Sequence, residues 1–148
     1  MFRFALPLIM AVSSTILFAC PDHKKEYDGK LKADIVKAQG VTDDGSPMHY
    51  PKTKKPMVKT LKITIPSGGE TGWHYHPYPG YGYTISGTME VTLKDGQKNR
   101  YEAEEAIYEV VNTAHNGRCI SKTPCDLIVT FTGVENEPIT VMLPQKKQ

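Results

Sequence analysis

The chain of 148 residues has little that would tie it to a charged polymer. Its 18 basic residues stand against 16 acidic ones, and the short runs Lys24-Lys25 and Lys52 to Lys55 read as solvated linker or rim charge. Without a basic block, nucleic acid is not a partner to expect. Helical periodicity is also missing from residue 21 onward, which argues against a bundle or a parallel α/β sheet. Cysteine is scarce, with three residues in all. Nor does the sequence offer a recognisable nucleophile or acid–base pair apart from its histidines.

What is present begins with a leader. A single early charge, Arg3, precedes an apolar run from Phe4 to Ala19, too short to span comfortably and proportioned like a secretory signal. Its end, Leu17-Phe18-Ala19-Cys20, resembles the lipobox of bacterial lipoproteins, in which Cys20 would be lipidated and become the first residue. Plain secretion and an uncleaved anchor are the alternatives, although Leu17 fits an ordinary cleavage site poorly. All three place the folded part outside the cytoplasm, in a periplasmic or cell-surface setting with a lipid anchor to the membrane. Cys119 and Cys125 then remain as an even pair around Ile120 to Pro124, a hairpin-like loop that a disulfide could close in an oxidising compartment.

Residues 1–19 are thus read as the signal and 20–56 as a tether with an N-terminal edge segment. That stretch is polar and broken by Gly29, Gly40, Gly45, Pro47, Pro51 and Pro56. Ala33 to Ala38 is a candidate edge strand, and His23 and His49 are read as surface histidines. From residue 57 to 148 the pattern is that of one domain. Met57, Lys59, Leu61, Ile63 and Ile65 alternate with Val58, Thr60, Lys62 and Thr64, as a half-buried strand requires. Further strands are expected at the histidine segment, Tyr81–Ile85, Thr88–Leu93, Asn99–Glu102, Ala106–Val111, Asp126–Thr132 and Pro138–Leu143. Gly87 marks a bend or bulge, and Lys94-Asp95-Gly96-Gln97 a hairpin turn. Many short strands separated by turn signals indicate an all-β antiparallel sandwich or barrel.

The run Trp73-His74-Tyr75-His76-Pro77 is the focus of this domain. If it is extended, His74 and His76 share one face and Tyr75 takes the other. His115 follows about forty residues on, after a turn-like Asn112-Thr113, and the three histidines look arranged together. Three imidazoles so placed suit one divalent metal.

These residues resemble the two motifs of the cupin superfamily, over roughly the last ninety residues. In the first motif, Gly68 or Gly69, His74, His76 and Gly87 match. In the second, Glu104-Glu105 leads to Val110-Val111-Asn112-Thr113-Ala114-His115-Asn116-Gly117. The usual glutamate of the first motif falls at Gly80, and the usual Gly-Asp and proline of the second are absent. The chain is most similar to single-domain, RmlC-like cupins with a His-x-His-Pro run and Glu-Val-Val-Asn-Thr-x-His as the second motif. The resemblance implies an antiparallel jelly-roll β-barrel and a metal held by His74, His76 and His115.

The metal so implied is a divalent transition ion, namely iron, manganese, nickel, copper or zinc. Glu109 is a candidate fourth ligand, or a group bonded to a ligand imidazole, although strand parity does not settle which way it points. Tyr78, Tyr81 and Tyr83 are candidate lining of the pocket mouth. The leading functional reading is an extracytoplasmic metal-binding cupin of unassigned substrate; the alternatives are a metal-dependent oxygenase of the quercetinase-like or thiol-oxidising kind and a metal-free small-molecule-binding cupin. A homodimer is one arrangement open to such a domain. The leader gives the first testable expectation. Cys20→Ser should abolish lipid labelling and membrane association, and a variant that fractionates with membranes as the parent does would refute the anchor.

Overall fold

The structure is a computed structural model, and it describes residues 31–144. The leader, Cys20 and His23 lie outside the described residues. Of the described residues, 35–144 belong to one compact unit.

Among the described residues there are nine strands: β1 (Pro56–Ile65), β2 (His74–Tyr75), β3 (Gly80–Ser86), β4 (Met89–Leu93), β5 (Lys98–Tyr101), β6 (Ala106–Tyr108), β7 (His115–Cys119), β8 (Cys125–Val134) and β9 (Val141–Met142). No helix occurs among the described residues. The strands form two antiparallel sheets, ordered β1-β8-β3-β6 and β5-β4-β7-β2-β9. This is the expected all-β jelly roll.

Period two decides the inside. Along β8, Cys125, Leu127, Val129 and Phe131 are buried, while Asp126, Ile128, Thr130 and Thr132 turn toward the other face. They pack with Ile65 of β1, Met89 of β4, Tyr101 of β5, Ile107 of β6 and Cys119 of β7 to form the core. On β1 the expected alternation holds, and burial deepens toward Ile65. The sulfur atoms of Cys119 and Cys125 stand at disulfide-bonding distance, with Cα atoms 5.7 Å apart. The link joins the end of β7 to the start of β8, and so one sheet to the other. Gly87 is needed beside it: its φ is +82°, and a Cβ there would come within 2.7 Å of Cys125 Sγ.

Three expected elements differ. Ala33–Ala38 forms no strand. Instead, residues 37–48 make a loop against β5 and β6, closed on itself by the Val41–Pro47 bridge. Its anchor is Asp43, which accepts hydrogen bonds from Tyr101 Oη (2.7 Å) and the Tyr108 amide (3.0 Å) and pairs with Lys37. Side-chain bonding of this kind replaces the ladder that an edge strand would have used. The strand expected at 106–111 stops at Tyr108, because Glu109 to Asn112 crosses between the sheets. Val111 there bridges to His76, and the Asn112 amide bonds the His76 carbonyl at 2.8 Å. The last strand is limited to Val141–Met142, since the Ile139 carbonyl turns to His76.

The Asp43 anchor can be tested directly. Its side chain is 8% exposed, and Asp43→Ala leaves a buried phenol and an amide without their acceptor. A loss of about 2–4 kcal/mol is expected, read as a lower urea midpoint. Lys54→Ala, at an exposed position, should leave the midpoint unchanged.

Candidate metal centre

His74 lies on β2, His115 opens β7, and the two are direct partners across the ladder. Opposed residues share a face, so both rings enter the barrel. His76 lies two residues beyond His74, on the same face by parity. The three residues are 7%, 4% and 2% exposed, for His74, His76 and His115 in turn. Ring centroids are 4.9 Å (His74–His76), 4.4 Å (His74–His115) and 5.1 Å (His76–His115) apart.

Each ring is fixed through the same atom. Nδ1 of His74 donates to the Gly72 carbonyl at 2.7 Å, that of His76 to the Ile139 carbonyl at 2.8 Å, and that of His115 to the Thr113 carbonyl at 2.8 Å. A carbonyl can only accept, so Nδ1 carries a proton in all three rings, and Nε2 is the nitrogen through which each neutral ring would bind a metal. One ligand nitrogen from each ring lies within 4.8 Å of the others. Three neutral nitrogen donors facing one point fit a divalent transition ion. Metal–nitrogen bonds of about 2.0–2.1 Å would draw them somewhat closer together.

Burial also sets their charge. It holds the His76 imidazolium down to about 3, against the Ile139 hydrogen bond, which works the other way. Burial likewise lowers His115 to about 4. Both rings are therefore neutral far below their ordinary range.

Glu109 faces the same point. Its Oε2 lies 3.9 Å from His76 Nε2 and 3.8 Å from His115 Nε2, with the side chain 14% exposed. The carboxylate therefore stands beside the His76 and His115 nitrogens, on one side of the trio. The orientation that parity left open is thus inward. Burial, then the charge of Asp43, pushes its carboxyl up to about 7. Gly80 makes room for it. A Cβ at Gly80 would come within 2.5 Å of the Phe131 ring and 2.8 Å of Glu109 Cγ. A carboxylate at position 80 is therefore excluded, and Glu109 fills the space from the adjoining segment.

The tyrosines are a correction. Along β3 the inward residues are Gly80, Gly82 and Thr84, which puts Tyr81 and Tyr83 on the opposite face. Tyr81 Oη bonds Met48 Sδ at 3.6 Å, and Tyr83 is 39% exposed. Tyr78 bonds Glu137 at the surface. None of the three lines the cavity beside the histidines, which measures about 340 Å³. His49 is exposed, as expected.

Sequence reading missed the carbonyls that orient the rings and the hydroxyls near them. Thr140 Oγ1 lies 3.2 Å from His76 Nδ1, and Thr71 Oγ1 bonds the Gly117 amide at 2.9 Å. It also missed Phe131, whose ring packs on His76 at 4.6 Å between centroids. Only its place on the apolar face of β8 could have signalled it.

Comparison with known proteins is consistent with this geometry. Residues 61–131 match the family model described as the cupin domain. No curated protein matches the sequence. Among solved structures, an RmlC-like cupin from Shewanella frigidimarina is 24% identical, with 53% of this chain and 68% of that one covered and a TM-score of 0.46. The DMSP lyase DddQ from Ruegeria pomeroyi is 16% identical, with 62% and 45% covered and a TM-score of 0.52. Oxalate decarboxylase from Lactobacillus farciminis, in its formate complex, is 16% identical, with 58% and 26% covered and a TM-score of 0.51. The chain spans less than half the length of these two enzymes, and the likeness to them is one of fold.

The buried neutral rings give a prediction for the protein without metal. A ring whose folded value lies below its unfolded one stabilises the fold above the unfolded value, and that contribution is lost on acidification. For His76 and His115 the window runs from about 6.5 down to about 3–4. Glu109 acts in the opposite sense. Its contribution is present below 4.5 and lost as pH rises through about 7. Unfolding free energy should therefore fall from pH 6.5 to 4, and Glu109→Gln should steepen the fall. A flat profile in urea titrations would contradict the neutral-ring assignment.

Proposed function

Because this chain belongs to the cupin family, we propose that it binds one divalent transition metal through Nε2 of His74, His76 and His115. Glu109, beside His76 and His115, supplies the one negative charge among the residues lining the site. The observation that carries the proposal is the shared orientation of the rings. Three Nδ1–carbonyl hydrogen bonds leave three lone pairs aimed at one point. When bound, such an ion supplies a Lewis acid with open positions toward the cavity. The chain's own part is to hold the rings neutral and oriented, and to exclude bulk water with the apolar wall around Phe131 and Val129.

The ligand or substrate is a small molecule that enters that cavity. Among the residues lining it, the groups able to take a proton are the three histidines and Glu109, so any turnover would take place at the ion. Of the two functions open to the site, binding without turnover is the reading preferred here. We further propose that the domain works outside the cytoplasm, tethered by lipid at Cys20. The Cys119–Cys125 pair at bonding distance supports an oxidising setting.

The test is titration of the purified protein with iron, manganese, nickel, copper and zinc, followed by thermal stability and elemental analysis. A metal that binds only the folded state must stabilise it, by about 2.7 kcal/mol at a hundred times its Kd. His74→Ala and His115→Ala should each abolish stoichiometric binding, and His49→Ala should not change it. Glu109→Gln should weaken it roughly 10–100-fold. The proposal fails if no metal raises the melting temperature and the histidine variants retain as much metal as the parent.

A further inference from the structure

The cavity beside the histidines has an unusual balance of groups. Among the described residues, its ionisable lining consists of His74, His76, His115 and Glu109, with no lysine or arginine. The remaining walls are almost entirely apolar. Ile65, Met89, Leu127, Val129 and Phe131 are each 6% exposed or less. Leu61 from β1 and Met142 from β9 also line it, and they are 37% and 55% exposed. The part of the wall that meets solvent is therefore apolar as well.

Two constraints on a ligand follow. The first is charge. A divalent ion beside the Glu109 carboxylate leaves one positive charge to be balanced, and a single anionic oxygen balances it. A dianion would leave a negative charge inside an apolar cavity with no cation to receive it, a costly arrangement. The second is shape. A cavity of about 340 Å³ is near the lower end of the roughly 300–1,000 Å³ usual for small-molecule sites. It accommodates one ring or a short chain.

We infer that the site takes a small, largely apolar molecule bearing one acidic oxygen head, namely a phenol, an enol or a monocarboxylic acid, and discriminates against dicarboxylates. Resting on the metal centre proposed above, this inference names the chemistry of what binds there. The head meets the ion, and the body lies against Leu127, Val129 and Phe131. Leu61 and Met142 flank its route from solvent.

The test uses the full chain preloaded with zinc, with zinc retention checked throughout. 4-Ethylphenol, hexanoate and malonate are each titrated by calorimetry. At least one of the two apolar probes should bind tenfold or more tightly than malonate, and the tighter of them identifies the head group. Leu61→Arg places a cation at the partly exposed rim, where folding should tolerate it. It should tighten malonate at least tenfold and weaken the apolar probes. Malonate binding as tightly as the better apolar probe in the parent protein overturns the inference. If zinc does not bind, whichever of the other four ions does bind takes its place; if none binds, the metal centre is refuted, and the same probes with the metal-free protein test the cavity alone. There, apolar probes that still bind more tightly than malonate support it, and equal or absent binding overturns it.

Discussion

The hydrogen bonds from Nδ1 of His74, His76 and His115 to the carbonyls of Gly72, Ile139 and Thr113 underlie everything else in this site. A neutral imidazole has one donor and one acceptor, and a carbonyl can take only the donor. Two of the carbonyls are local, two residues before their histidine, so the segments leading into β2 and β7 each anchor the ring that opens the strand. The third comes from Ile139, just ahead of β9. Its engagement explains why the last strand is so short, and it ties the end of the domain to the metal centre.

Space is the second constraint, and β3 provides it by what it lacks. Gly80 and Gly82 face the barrel, while their tyrosine neighbours face outward. A Cβ at Gly82 would come within 3.1 Å of Ile107, and one at Gly80 would strike Phe131 and Glu109. The glycines thus let β6 and β8 side chains close over the interior, and they let a carboxylate approach the histidines from the segment after β6. The loop that holds Asp43 contributes from outside. It buttresses Tyr101 and the Tyr108 amide, next to the segment that carries Glu109. Its charge also helps to keep the Glu109 carboxyl protonated to higher pH.

Burying three imidazoles and a carboxyl among aliphatic side chains runs against the hydrophobic effect. The arrangement is tolerated because each ring has its hydrogen bond, and burial keeps His76 and His115 uncharged at neutral pH. The polar groups occupy one part of an otherwise apolar interior, a division that makes the cavity selective in charge as well as in size.

Much of the fold was legible in the sequence because strand periodicity is a local property. The alternation from Met57 to Ile65 and from Asp126 to Thr132, the Gly96 turn and the parity of His74 and His76 all follow from chain geometry. The His115 partnership was legible only through resemblance to cupin motifs, because ladder register is set by contacts forty residues apart. Glu109 could not be oriented from the sequence, since the strand ends one residue before it and parity ceases to apply. The tyrosines misled for a related reason: an aromatic beside a site attracts attention, yet period two gives the inward face of β3 to glycine. The residues themselves determined a β-barrel with a histidine trio. Tertiary packing alone decided where the carboxylate stands, which atoms of the rings are free, and that the space before them is apolar, because each depends on segments brought together only when the two sheets close.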